Sequence, residues 1–204
     1  MFALVDKSDN SITRMLSGSQ GITLDGIQHP KAIFSLWTEA ARNAINIYTV
    51  EINNSKRKNT EWYVNTNVTY SFNGSKVTGS YGDATARAHA DTLFTAQDES
   101  DGKGTEGDVK DEGLKTKLIR SIKSQAEGEL NKTDWYITRK AEKDTAIPSA
   151  VSTHRDAVRS KQAEMETAIT NASDTPALET LYTYTTQEDG STTRPLGELP
   201  TKDF

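Results

Sequence analysis

Gly102, Gly104 and Gly107 stand at the spacing G-x-G-x-x-G. That spacing cradles a pyrophosphate when it joins a buried strand to a helix. Here no strand precedes it and acids flank it, so the local charge repels phosphate. Asp98, Asp101, Glu106 and Asp108 in the same stretch invite a calcium reading, but the EF-hand order of acids before its glycine is not met. A solvated acidic loop is the better account. His29, His89 and His154 have no second His or carboxylate at metal-ligand spacing. The chain has no Cys, so thiolate sites and disulfides are excluded. No G-x-S-x-G occurs, and Glu164 and Glu166 lie two apart, where helical carboxylates do not face each other. The sequence therefore offers no catalytic residue, no metal site and no cofactor site, and it reads as non-enzymatic. Five N-x-S/T sites, at Asn53, Asn67, Asn73, Asn131 and Asn171, read as a polar surface rich in Asn and Thr.

Charge and composition narrow the partners. Of 204 residues only 34% are hydrophobic and 7% aromatic, lean for one compact globule, which points to faces buried by partners. The net charge of -5 sits in residues 98–112, which hold two bases and seven acids. Both flanks are close to neutral, and Lys56, Arg57 and Lys58 form the only basic cluster, so nucleic acid is not an expected partner. No run of about 18 apolar residues exists, so membrane insertion is not expected. The first ten residues lack a basic region and a long apolar core, so no secretory signal is expected and the chain is made in a cytoplasm.

Short elements follow from local pattern. Residues 2–5 are apolar, residues 6–10 make a polar turn and residues 12–16 pair back as a hairpin. His29 and Pro30 fix an extended approach to residues 33–37. Thr38 caps a helix over residues 39–45, Asn46 suits the left-handed position after it, and residues 47–50 leave as a strand. Trp62, Val64, Val68, Tyr70 and Phe72 alternate, which predicts a half-buried strand. Asn73-Gly74 signals a two-residue hairpin, with Val77, Gly79 and Tyr81 on the returning face.

The second half changes period. Asp83 can cap a helix over residues 83–97, and residues 98–113, with four Gly and seven acids, read as a linker. Leu114, Leu118, Ile122, Ala126 and Leu130 recur every four residues and predict an amphipathic helix. Thr133 and Asp134 start a second helix. Pro148 fits the first turn of a third, whose apolar edge is Val151, Val158, Met165 and Ile169. The expected fold class is α+β: a small N-terminal antiparallel β-containing domain over 1–82, then the helix and linker. A helical module over 114–172 follows, then a short helix, a strand and an extended tail over 173–204.

Three Trp carry most of the recognisable surface chemistry. Trp62 belongs to the sheet core. Trp37 closes an apolar run as core or partner surface. Trp135, among polar neighbours, either locks two helices together or anchors a partner. Around Trp135 the order Thr133, Asp134, Trp135, Arg139, Glu142, Pro148, Arg155, Arg159 resembles the C-terminal helical module of bacteriophage tail-fibre assembly and tail-associated proteins. That module reads T-D-W, then R and E, then P, then R-x-x-x-R. Residues 29–51 look like the N-terminal part of such chains. His154 and the long acidic segment depart from the pattern. The resemblance implies a structural or adaptor component of a tail, at baseplate, tube or fibre attachment. Its implied partners are other tail proteins, its place is the virion tail, and its cofactors are none. A transient tail-fibre assembly chaperone is the alternative, and a glycan-binding fibre accessory a third. On physical grounds Thr133 caps the helix and Asp134 meets its positive end. Arg155 and Arg159 reach Asp134 or Glu142, and Trp135 fills the seam.

Overall fold

A computed structural model of the chain describes residues 1–202. It is α+β, with an N-terminal sheet region followed by helices, and divides into two compact units, Met1–Thr85 and Ala86–Phe204.

The first unit is a five-stranded sheet. Strands β1 (Phe2–Asp6) and β2 (Ser11–Leu16) form the hairpin that the sequence predicts. Asp6 closes its turn by accepting from the amide and hydroxyl of Ser8, and Asn10 takes a positive φ. Strands β3 (Ile22–Leu24) and β4 (Ile27–His29) make a second hairpin. Its turn residues Asp25 and Gly26 both have positive φ, the two-residue turn that Asp-Gly favours. Helix α1 (Ile33–Leu36) is a single turn that follows the His29-Pro30 approach. It forms because Ile33 and Phe34 donate back to the carbonyls of Pro30 and Lys31. Helix α2 (Glu39–Ala44) starts as predicted, with the Thr38 hydroxyl accepting from Ala41 N, and Asn46 follows its end at positive φ.

Strand β5 (Ile47–Asn53) leaves that helix, and β6 (Tyr63–Val64), β7 (Thr69–Phe72) and β8 (Val77–Ser80) follow. The sheet order is β2-β1-β5-β8-β7, antiparallel except for the β5–β8 pair. The outer strands β2 and β7 come back into contact, so the sheet curls. Period-two alternation sorts the two faces. Ala3, Val5, Tyr48, Phe72 and Val77 pack inside the curl. Ile22, Ile33 and Ile47, with Phe2, Leu4 and Phe34, form a second core on the other face.

The predicted strand through 62–72 is broken. Asn65 bonds both the amide and the carbonyl of Lys58 through its side chain. Trp62 and Tyr63 donate to the Asn59 carbonyl. The Asn65 side chain thus holds loop backbone, and the Trp62 and Tyr63 amides turn back to Asn59 instead of crossing to a partner strand. Trp62 and Tyr63 are both buried, while Val64 and Tyr70 face solvent. The hairpin at Asn73 exists, but its turn has four residues. The Asn73 carboxamide oxygen accepts from the amides of Ser75 and Lys76.

In the second unit the expected helix over 83–97 is absent. The short strand β9 (Thr85–Ala86) straddles the unit boundary, and β10 (Thr92–Leu93) and helix α3 (Ala96–Ser100) occupy the rest. Tertiary partners override the Ala-rich propensity. The carbonyls of Ala88 and His89 accept from Leu114 and Lys115, the first residues of α4 (Leu114–Asn131). Asp91 accepts from Gly113 N and the Thr116 hydroxyl. Residues 98–113 are no linker either. Strand β11 (Val109–Asp111) pairs with β10, and α3 lies in the loop between them. Gly104 lies against the Phe94 ring and Gly113 against the backbone of Ala90, each too close for a Cβ.

Helices α4, α5 (Asp134–Lys143) and α6 (Ser149–Asn171) follow. Lys115 reaches the Thr170 carbonyl and Arg155 the Leu130 carbonyl, so α4 and α6 run antiparallel. Their seam is the predicted stripe: Ile122 and Ala126 against Val151, Val158, Met165 and Ile169, all buried. Pro148 stands one residue before α6 rather than inside it. Helix α7 (Thr175–Tyr182) is capped by Asp174, and Thr175 donates to the Arg87 carbonyl. The tail expected to be loose is held. Strands β12 (Thr185–Thr186) and β13 (Thr192–Thr193) pair, Leu196 is buried, and Arg194 lies over Tyr182 and Tyr184.

Candidate docking corner between the helices

Thr133, Asp134 and Arg155 meet where α4 ends, α5 begins and α6 passes. A helix end leaves carbonyls without intrahelical partners, and these attract cations. Arg155, on the second turn of α6, answers that need. Its Nη1 donates at 2.7 Å to each of three acceptors: the Leu130 carbonyl, the Thr133 hydroxyl and the Asp134 carboxylate. The Thr133 hydroxyl in turn donates to the Leu130 carbonyl at 2.9 Å. Thr133 is fully buried and Arg155 nearly so, whereas Asp134 keeps about half its side chain in solvent. A buried cation persists only where acceptors surround it, and this cluster supplies them.

Four parts of the expected motif differ. Thr133 occupies the residue before α5 without capping it, because its hydroxyl points back to α4 and forward to Arg155. Arg159 reaches neither Asp134 nor Glu142. It lies one turn further along α6, away from α5, and approaches Asp156 at 3.4 Å. Glu142 is exposed, with no ion pair among the described residues.

Trp135 does not fill the seam, which the α4 and α6 side chains already occupy. It is 51% exposed. Its ring stacks on Tyr136 with centroids 3.8 Å apart. The Arg139 guanidinium lies 4.6 Å from the Trp135 ring centre and 5.2 Å from that of Tyr136. The Arg139 Nε is buried without a hydrogen bond. Helix α5 buries none of its residues and leaves Ile137 exposed as well. The corner thus has a pinned inner half and an aromatic–cation rung outside.

In the first unit Trp37 lies partly exposed, edge-on to His29 at 5.8 Å, with its carbonyl accepting from Arg42. Leu36 beside it is 80% exposed, and Ile27 on β4 is also open. Sequence reasoning missed Leu36 and Ile27. The Asp25-Gly26 turn beside Ile27 was the available signal for that residue, and Leu36 had none.

The acidic stretch has its own local chemistry. Thr95 and Asp98 form a reciprocal capping box at the start of α3. Lys110 meets both Asp98 oxygens at 3.1 and 3.2 Å. Hydrogen bonds from Thr95, then from Lys110, lower the Asp98 carboxyl to about 2. The glycine spacing makes no phosphate cradle, since the Glu99 carboxylate already takes the Glu106 amide. Among the described residues no group of three His, Asp or Glu is arranged to hold a metal ion. No helix among them is long and apolar enough to cross a membrane.

No family model, curated protein or solved structure matches this chain.

Proposed function

We propose that the chain is a non-enzymatic structural or adaptor component of a bacteriophage tail, joining baseplate, tube or fibre through protein–protein contacts. The observation that carries this reading is the division of labour in the T-D-W corner. Thr133, Asp134 and Arg155 spend their hydrogen bonds on holding three helices together, while Trp135 and Arg139 stand outside on a helix that buries nothing else. Trp, Tyr and Arg are the residue types that dominate binding energy at interfaces. A rigid corner that presents them keeps the ordering cost of binding low. Leu36 and Trp37, adjacent in the first unit, supply further exposed apolar surface for the same role.

Mass spectrometry of purified particles tests the reading. The chain is expected at a stoichiometric copy number in washed tails. Its absence from particles, with co-purification of unassembled fibre subunits from infected cells, would replace the structural role with the transient chaperone.

A further inference from the structure

A cleft of about 320 Å³ lies in the first unit, between the end of β2, the loop over residues 17–21 and Phe34. That volume is at the lower end of the range for small-ligand sites. Strand alternation sets its walls. Arg14 pairs with Leu4 and Leu16 with Phe2, so both stand on the sheet face that carries Ile22 and Phe34. The loop is closely packed. Gly18 has φ +74°, and a Cβ there would come within 2.9 Å of the Phe2 ring and 3.3 Å of the Phe34 Cβ. A Cβ on Gly21 would come within 2.6 Å of the His29 carbonyl oxygen. Both glycines let the loop settle onto its neighbours, so its polar groups are in place before anything binds.

Those polar groups are unspent. Arg14 is the only charged side chain on the cleft and the only charge in residues 10–24. Among the described residues it has no ion pair and no side-chain hydrogen bond, and the Gln20 carboxamide has no partner either. The Ser17 and Ser19 hydroxyl oxygens lie 2.6 Å apart, and Ser17 also accepts from the Ser19 amide. One hydroxyl hydrogen is used between them, which leaves the other for a third group. We propose that this cleft binds a small hydroxylated carboxylate, of the size of a hydroxy acid or a sugar acid. A lone guanidinium with no second base beside it matches one negative charge and can hold a carboxylate by two parallel bonds. A phosphate dianion would leave a charge unmet. Ser17, Ser19 and Gln20 supply donors and acceptors for hydroxyls, and Leu16 and Phe34 give the carbon skeleton an apolar wall. Binding here is independent of any place in a tail.

Titration of the full chain with glucuronate, followed by heteronuclear NMR, tests this. The amides of Gly18, Ser19 and Gln20 are expected to shift and to saturate in the millimolar range, while the spectrum of the second unit stays unmoved. Glucose, which lacks the charge, should bind about tenfold more weakly or worse, and inorganic phosphate likewise. Arg14→Gln removes an exposed side chain that bonds to nothing, so the fold is kept, as the unmoved resonances check. Its glucuronate binding should weaken about tenfold or more. Arg14→Lys, which keeps the charge without the fork, should fall between the two. No saturable shift with glucuronate would overturn the proposal. So would glucose or phosphate binding as tightly, or Arg14→Gln binding like the wild type. Each of these results leaves the tail reading standing, since that reading is decided by the chain's presence in washed particles.

Discussion

Arg155 spans three segments with a single nitrogen. Arg155→Ala removes three hydrogen bonds and leaves a gap beside the buried Thr133, while Asp134 stays half in solvent, so the unit is expected to lose about 2 kcal/mol. Arg155→Lys should recover part of it, because all three bonds come from one nitrogen, which an ammonium on a shorter stem can partly replace. Chemical denaturation followed at 222 nm measures both. Trp135→Ala should cost at most about 1 kcal/mol, since half of the ring is already in water. A loss of several kcal/mol would instead mean that the ring is buried as a helix lock. The Arg155–Asp134 contact was legible in the sequence, because an Asp at a helix start and an Arg on the returning helix are complementary charges. The place of Trp135 was not. One aromatic among polar residues satisfies a seam and an open face equally well, and only the filled α4–α6 seam decides. Asp98 gives a prediction in pH. Its folded pKa of about 2 lies below the ordinary 3.8, so its contribution is complete at neutral pH. It begins to fade as pH falls below about 4 and is lost through about 2. The amide shifts of Thr95 and Asp98, followed by NMR, should titrate near 2, and Asp98→Asn should abolish the response. A midpoint near 3.8 would contradict the capping box and the Lys110 pair.

Elements with a strong period were readable. The α4 stripe, the α6 edge, the β1–β2 hairpin and the Thr38-capped helix all stand where the residues predict. Residues 83–113 were not. A run of Ala with an Asp before it predicts a helix, yet the carbonyls of Ala88 and His89 serve the start of α4 instead. Acids and glycines predict a linker, but a linker needs no close packing. Here a Cβ on Gly113 would come within 2.3 Å of the Ala90 backbone, and one on Gly104 within 2.6 Å of the Phe94 ring. Gly113→Ala is therefore expected to destabilise the second unit by about 2 kcal/mol or more, since backbone has to move. Gly104→Ala should cost less, because a ring can swing. Thermal melts of the two variants rank them, and equal melting temperatures would remove the close-packed account. Such glycines act through contacts distant in sequence, and no local pattern announces them.

At the scale of the molecule the lean composition has a structural counterpart. The apolar residues make two small cores in the first unit and a helical seam in the second. Several large apolar side chains, Leu36, Ile27 and Trp135 among them, remain open. Scattered exposed apolar residues are ordinary, but clusters beside Arg and Trp are what interfaces use. On the proposed reading, the open face of α5 becomes buried when the protein takes its place among other subunits. Replacing Trp135 with a photo-cross-linking phenylalanine analogue, in phage grown on a suppressor host, tests this most directly. After irradiation of washed particles, peptides from α5 should be found joined to a neighbouring subunit, and the same probe at exposed Glu188 should give far fewer adducts. If the chain is present in particles but position 135 cross-links no more than position 188, the docking account is contradicted.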